Sequence, residues 1–282
     1  HTFTLQSSKM RCTDFVDLQA VSHIPARRAF MLKSKLHEYA YPLEENTIPG
    51  DVNLAMSVVP LVVLTSVYHV FWRPKPGWRE WYRTLVCLAC AVLLSTLITD
   101  LVKIAVGRPR PNFIAHCWKD GVIRFSSEDK YGGYPECFEE DKQHSSSHKS
   151  FPSDHSSTSA SGLGLLSFWL AGKLRVFSGP SKIWQLLVSM VPSVGAVAVG
   201  LTRIADHQHH AEDVCTGLAI GFGAAFLLYL QVWPFWTHPM CHEPHPEGQT
   251  TPLAAQGSQV QAPPYPHAQP QRPPSPALSQ EL

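Results

Sequence analysis

"TLVCLACAVLLSTLITDLVKIAV", residues 84 to 106, decides the fold. The run is apolar and long enough to cross a bilayer, which takes about 20 residues. Lys103 sits in its last turn or two. An ionisable group there is costly, so it either snorkels to the interface or serves a function.

Four more stretches have comparable length: 52 to 72, 156 to 177, 184 to 204 and 214 to 236. The third of the five, "SSTSASGLGLLSFWLAGKLRVF", is weaker and rich in small residues, which let helices approach closely. It is expected inside a bundle. Trp72, Trp81, Trp184, Trp233 and Trp236 mark segment ends, as an interfacial aromatic belt would. The expected fold class is therefore all-α, a polytopic transmembrane helix bundle with five recognisable spans.

With 282 residues, 44% of them hydrophobic, the chain can build one sizeable domain. The mean hydropathy of −0.07 averages unlike parts. Residues 1–50 are polar, and 51–238 carry the apolar runs. Residues 239–282, with "QAPPYPHAQPQRPPSP", read as a disordered Pro-rich tail. Its "PPYP" is either a WW-domain ligand or part of an unbound linker. A net charge of +1 gives no electrostatic case for a nucleic-acid partner. Of seven cysteines, Cys87 and Cys90 lie in an apolar run and are expected to be buried, inert thiols. Cys117 and Cys137 share a polar loop, where a disulfide forms if that loop faces an oxidising lumen. No cleavable signal peptide is evident, and the absence of an initial Met leaves the true start open.

Loop charge sets the expected orientation. Arg73, Lys75, Arg79 and Arg83, then Lys173, Arg175 and Lys182, fall in short connections that the positive-inside rule places in the cytosol. Residues 107 to 155 and 205 to 213 then share the lumenal or extracellular face, and the tail is cytosolic. The N-terminal segment conflicts with this. Five spans put it on the lumenal face, yet Lys9, Arg11, Arg27, Arg28, Lys33 and Lys35 look cytosolic. Either a first helix is missing or the segment is re-entrant or translocated.

Parity brings three polar stretches to one surface. "KIAVGRPRP" offers Lys103 and Arg110, a point charge and a planar fork for one phosphate, and its two prolines end the helix. Arg108 reads more simply as a loop ion pair. "SFPSDHSS" offers Ser153 at a helix start, where backbone N–H groups bind anions, and His155, able to protonate a leaving alkoxide. In isolation it is equally a Ser-rich N-cap. "TRIADHQHHAED" places His209 and Asp213 one helical turn apart, so a carboxylate can fix the imidazole tautomer, with Arg203 as an anion clamp. Two other readings stand beside it: a hydrated turn, and a metal site using His207, His209, His210 and Asp206 or Asp213. The arginine argues against a dication. His207, His210 and Asp206 read as interfacial polar groups.

Together the stretches resemble the tripartite pattern K-x6-R-P, P-S-G-H and S-R-x5-H-x3-D of the type 2 phosphatidic acid phosphatase superfamily, which includes lipid phosphate phosphatases and vanadium haloperoxidases. Lys103 with Arg110–Pro111, Pro152–His155, and Thr202–Arg203 with His209 and Asp213 match it in order and spacing. "YPLEENTIP", "VGRPRPNF", "FPSDHSS", "SGLG" with "LAGKL", and "HH" with "EDV" resemble the diacylglycerol pyrophosphate phosphatase subgroup. The likeness runs from about residue 39 to 245.

The resemblance implies an acid phosphatase/vanadium haloperoxidase-like core with six helices. It also implies an integral membrane hydrolase of the endoplasmic reticulum or plasma membrane, with no metal and no cofactor. Its substrates would be phosphatidate, lysophosphatidate and diacylglycerol pyrophosphate, cleaved through a phosphohistidine. His209 would be the nucleophile, Asp213 its orienting carboxylate and His155 the acid. Lys103, Arg110, Ser153, Asp154 (through its N–H) and Arg203 would hold phosphate. Alternatives are a phosphatase of the same superfamily acting on isoprenoid or sphingoid phosphates, or a catalytically weak lipid-phosphate binder. A homo-oligomer is left open. Asp154 replaces the pattern's glycine, and its charge would weaken phosphate binding unless the side chain points away. The loop "SSEDKYGGYPECFEEDKQHSSSHK" is expected to be mobile.

Overall fold

A computed structural model describes residues 29–72, 78–118, 122–135 and 147–246. The basic residues at 9, 11, 27 and 28, the pair Arg73 and Lys75, Cys137 and the Pro-rich stretch from 247 lie outside the described residues. Five long helices stand where the apolar runs predict them: α1 (Gly50–Phe71), α2 (Trp78–Val106), α4 (Asp154–Lys173), α5 (Ile183–Ala205) and α6 (Ala211–Val232). A one-turn α3 (Phe113–Cys117) follows α2. Four of the long helices, α1, α2, α5 and α6, are long and apolar enough to cross a membrane. The fifth, α4, is the buried centre of the bundle and packs against all the others.

The burial pattern explains this arrangement. On α1 the buried positions are Asn53, Ser57, Leu61 and Thr65, one every fourth residue, while Val52, Met56, Val59, Val63 and Val70 face outward. On α5, Ser189, Ala196, Gly200 and Arg203 are inside, and Leu187, Val191, Val194 and Leu201 are outside. Small and polar residues inside with apolar residues outside is the reverse of a water-soluble bundle. It is what lipid-facing helices show, because contact with lipid costs a valine nothing and close backbone approach rewards small residues. The hydroxyls of Ser57 and Thr65 donate to the carbonyls of Asn53 and Leu61 one turn back, so neither hydroxyl is stranded.

Two glycines set the closest crossings. A Cβ on Gly162 would stand 2.1 Å from the Ser57 carbonyl oxygen, where α4 meets α1. One on Gly221 would stand 2.2 Å from the Ser157 carbonyl oxygen, where α6 meets α4. Gly221→Val is expected to lower the detergent-solubilised melting temperature by several degrees, since overpacking typically costs about 1–3 kcal/mol. Gly223→Ala, which meets nothing within 4 Å, is expected to leave it unchanged. Equal melting of the two variants would contradict the crossing.

Three expectations need correction. Residues 239–246 belong to the domain rather than to the tail. Cys241 is fully buried, with its Sγ on the Gly172 carbonyl. The His242 and His245 carbonyls accept from Lys173 and Arg83. Lys173 also pairs with buried Glu80, and its ammonium lies over the Tyr68 and Trp169 rings. A count of Pro and His could not see these partners.

The loop expected to be mobile carries a hairpin in its described part. β2 (Phe125–Glu128) and β3 (Gly132–Pro135) are antiparallel, turned at Asp129, whose Oδ1 accepts from the Tyr131 and Gly132 amides. β3 also pairs with β1 (Met31–Leu32), giving the order β1-β3-β2. Met31, Phe113, Cys117 and Trp118 form the core beneath this sheet. Finally, Cys87 is buried but Cys90 is exposed on the outer side of α2, one step off its buried stripe. Cys117 is disulfide-bonded.

Candidate active site

The ends of four helices meet at one end of the bundle: the C-termini of α2 and α5 and the N-termini of α4 and α6. Gly107, with φ of 61°, stops α2 as its N–H caps the Lys103 carbonyl, ahead of the two prolines expected to end it. Lys103 is thereby left one turn inside, 8% exposed. Ser153 caps α4. The turn between α5 and α6 is held by the Gln208 and His209 amides, both donating to the Arg203 carbonyl.

Between these ends lies a cavity of about 470 Å³. Of the predicted site residues, Lys103, Arg110, Asp154, His155, Arg203 and His209 line it. Asp213 lies behind His209 and is fully buried, and Ser153 is fully buried beneath the start of α4. The Ser153 hydroxyl accepts from the Ser156 amide at 3.5 Å and from Ser156 Oγ at 3.0 Å, so its side chain does the work of a cap. The remaining lining residues are Leu43, Glu44, Glu45, Asn46, His116 and Gln208.

His209 Nδ1 is 2.6 Å from the Ser150 carbonyl oxygen and 3.8 Å from Asp213 Oδ2. The carbonyl can only accept, so Nδ1 carries the proton and Nε2 the lone pair. The carboxylate expected to make this bond makes it at one remove. Ser150 Oγ donates to Asp213 Oδ2 at 2.6 Å, and the Ser150 carbonyl receives the imidazole. Asp213 also accepts from Arg108 Nη1 at 2.8 Å and from the His210 amide at 3.0 Å. Burial pulls the His209 pKa down to about 4, against the opposing pull of Asp213 and with added push from the Arg110 and Lys103 cations. The ring is neutral at pH 7.

Each lining cation already touches a protein oxygen. Lys103 Nζ is 3.0 Å from Asp154 Oδ2, so the Asp154 side chain points toward the site rather than away from it. Arg110 donates to Gln208 Oε1. Arg203 donates to Asp206 Oδ2 and to Asn46 Oδ1. Arg108 pairs with Glu212 and Asp213 as a loop ion pair. The three neighbouring histidines diverge: His207 stacks on Tyr41 at 4.6 Å, His210 Nδ1 lies 3.2 Å from Asp213, and His209 turns to the cavity.

Sequence reasoning missed Ser150 and Gln208 as site residues, and it singled out "YPLEENTIP" only as part of the family resemblance, with no role at the site. Ser150 acts mainly through its backbone carbonyl, which no residue pattern reports. Residues 43–48 come from a segment remote in sequence from the three phosphate motifs. The described N-terminal residues lie at the same end of the bundle as the three motifs. Tyr41 N donates to the Pro111 carbonyl, and Ile48 O sits 3.2 Å from His155 Nε2.

The PAP2 superfamily model matches residues 84–237. Lipid phosphate phosphatase 2 of Arabidopsis thaliana is 36% identical over 209 residues, covering 73% of this chain and 69% of its own. Diacylglycerol pyrophosphate phosphatase 1 of Saccharomyces cerevisiae is 30% identical over 221 residues, covering 78% and 76%. Among solved structures, a transmembrane PAP2 type phosphatidylglycerolphosphate phosphatase from Bacillus subtilis matches at TM-score 0.38 and 18% identity, over 77% of this chain and 85% of that one.

Proposed function

This chain belongs to the PAP2 superfamily, and from that premise we propose that it is a lipid phosphate phosphatase working without a metal ion on phosphatidate, lysophosphatidate and diacylglycerol pyrophosphate. The observation that carries the reading is a neutral, tautomer-fixed imidazole in one cavity with Lys103, Arg110 and Arg203. Three cations in a largely buried pocket fit a phosphoryl group, and in phosphoryl transfer positioning and charge supply most of the catalysis.

His209 Nε2 attacks phosphorus. The N–P bond forms as the bond to the lipid oxygen breaks; burial and the Arg203 cation keep free His155 neutral, so it takes up the proton that the phosphate monoanion brings and gives it to that oxygen. Neutral His155 then takes a proton from water, which attacks phosphorus, breaks the N–P bond and releases inorganic phosphate. Asp213 and Ser150 hold the His209 tautomer throughout. The apolar outer faces of the helices keep the acyl chains in the bilayer while the headgroup reaches the cavity. Residues 51–246 form the phosphatase domain, with the cavity on the lumenal or extracellular side and the C-terminal tail in the cytosol.

A substrate panel in mixed micelles with EDTA tests this. Hydrolysis of phosphatidate and diacylglycerol pyrophosphate is expected to persist, and full loss with chelator would overturn the mechanism. Preference for isoprenoid or sphingoid phosphates would reassign the substrate within the same chemistry. The contact of Asp154 with Lys103 favours a second reading, a lipid-phosphate binder with weak turnover, and the panel's rates decide between the two.

The pH profile follows from the depressed His209 pKa. The free enzyme's nucleophile stays deprotonated down to about pH 4. The limb of kcat/KM above that value is then set by the substrate, whose phosphate ionises near about pH 6. A limb near pH 6.5 that stays put when the substrate's phosphate is made more acidic would show His209 titrating normally. Stability has the same sign: the unfolded imidazole binds its proton at about 6.5 and the folded one at about 4, so stability falls as pH drops through that window and levels off below it.

A further inference from the structure

Three consecutive residues ahead of α1 touch polar groups at the end of α5 and the start of α4, beside the cavity. Asn46 Oδ1 accepts from Arg203 Nη1 at 3.0 Å. Thr47 donates twice to Asp206, from its amide to Oδ2 at 2.9 Å and from Oγ1 to Oδ1 at 2.6 Å. Ile48 O faces His155 Nε2 at 3.2 Å. Asp206 in turn accepts from Arg203 Nη2. The stretch is pinned upstream by Tyr41, whose amide bonds the Pro111 carbonyl and whose ring stacks on His207. It lies outside residues 84–237, the part matched by the family model.

Resting on the reading above, we infer that Asn46, Thr47 and Asp206 are positioning residues that aim the Arg203 guanidinium at bound phosphate from a strap outside the catalytic motifs. Arg203 is 1% exposed, and a buried guanidinium takes its direction from its fixed acceptors. Asp206 supplies one acceptor and is itself held at both oxygens by Thr47, so its carboxylate plane cannot swing. Asn46 supplies the second acceptor, on the other terminal nitrogen. Through the Ile48 carbonyl the same strap holds the His155 Nε2–H, so one segment registers the start of α4 against the end of α5. Without the strap, Arg203 keeps its charge, its pairing with Asp206 and its longer bonds from Nε and Nη2 to Thr202 Oγ1 at 3.3 Å, but Nη1 loses its acceptor and Asp206 loses the two donors that fix its carboxylate plane. The loss should therefore appear in phosphate affinity more than in folding.

The test uses the full chain in detergent with inorganic phosphate as probe. Two readouts serve: the phosphate-induced rise in melting temperature, and the phosphate inhibition constant alongside KM and kcat. Thr47→Val removes one donor while keeping shape, Thr47→Ser restores it, and Asn46→Ala removes the second acceptor. Thr47→Val and Asn46→Ala are expected to weaken phosphate binding about five- to tenfold and raise KM with it. Melting without phosphate should stay near wild type, and Thr47→Ser should regain the wild-type phosphate response. Phosphate binding within twofold of wild type in both variants overturns the inference. So does a Thr47→Ser variant as weak as Thr47→Val, and so does a wild type that phosphate does not stabilise. A wild type that binds phosphate yet hydrolyses no lipid phosphate would sink the proposed activity and leave this test intact.

Discussion

His209→Ala is expected to abolish lipid-phosphate hydrolysis, with kcat down by about 10⁴-fold or more, while the protein still folds and binds phosphate. The size follows from the fixed ring of His209, which His155, His210 and His207 do not reproduce. His155 is engaged by the Ile48 carbonyl, His210 by Asp213, and His207 by the Tyr41 ring. None of them has a ring fixed by the Ser150 carbonyl on one nitrogen and open to the cavity on the other. A phosphorylated nitrogen is stable in base and lost in acid, so an alkaline quench of wild type with labelled phosphatidate should leave label on the protein. His209→Ala should leave none. Label or turnover that survives the substitution would mean another nucleophile. His155→Ala should differ in kind: a substrate with a good leaving group, such as p-nitrophenyl phosphate, needs little protonation, so its hydrolysis should fall much less than that of phosphatidate.

The bundle was legible in the sequence because lipid imposes a length and a composition on each span, and those survive in one dimension. α4 shows the limit of that signal. Its serines and glycines make it the least apolar of the five, and burial by its neighbours rather than by lipid explains why. That Lys103, Arg110, His155, Arg203 and His209 meet around one cavity was legible too, because their order and spacing match the superfamily's pattern. Contacts carried by backbone atoms were not. The Ser150 carbonyl that fixes His209 and the Ile48 carbonyl on His155 belong to residues whose side chains say nothing of them. The described part of the N-terminal segment escaped for a different reason. Its basic residues conflict with the face that span parity gives it, which leaves its place open, while the residues that dock it are an uncharged Asn46–Thr47 pair and an aromatic stack at Tyr41.

Lys103→Met is expected to cost about 10² to 10³-fold in kcat/KM, the range for deleting one preorganised charge donor at a transition state. The complication is Asp154, which departs from the superfamily's glycine and sits 3.0 Å from the Lys103 ammonium, with its Oδ1 buried and unpartnered. If Lys103 serves only as counter-ion to Asp154, removing both charges should return activity. If Lys103 grips phosphate and Asp154 competes for it, the double variant Lys103→Met with Asp154→Asn should melt like wild type and stay inactive. Asp154→Asn alone should then lower KM several-fold, because arriving phosphate no longer displaces a carboxylate from the ammonium. The two outcomes separate on one pair of measurements, melting temperature and kcat/KM across the four proteins of the cycle. The expected signature is recovery of stability without recovery of rate. Recovered rate in the double variant would remove Lys103 from the phosphate site and leave Arg110 and Arg203 to hold the phosphoryl group.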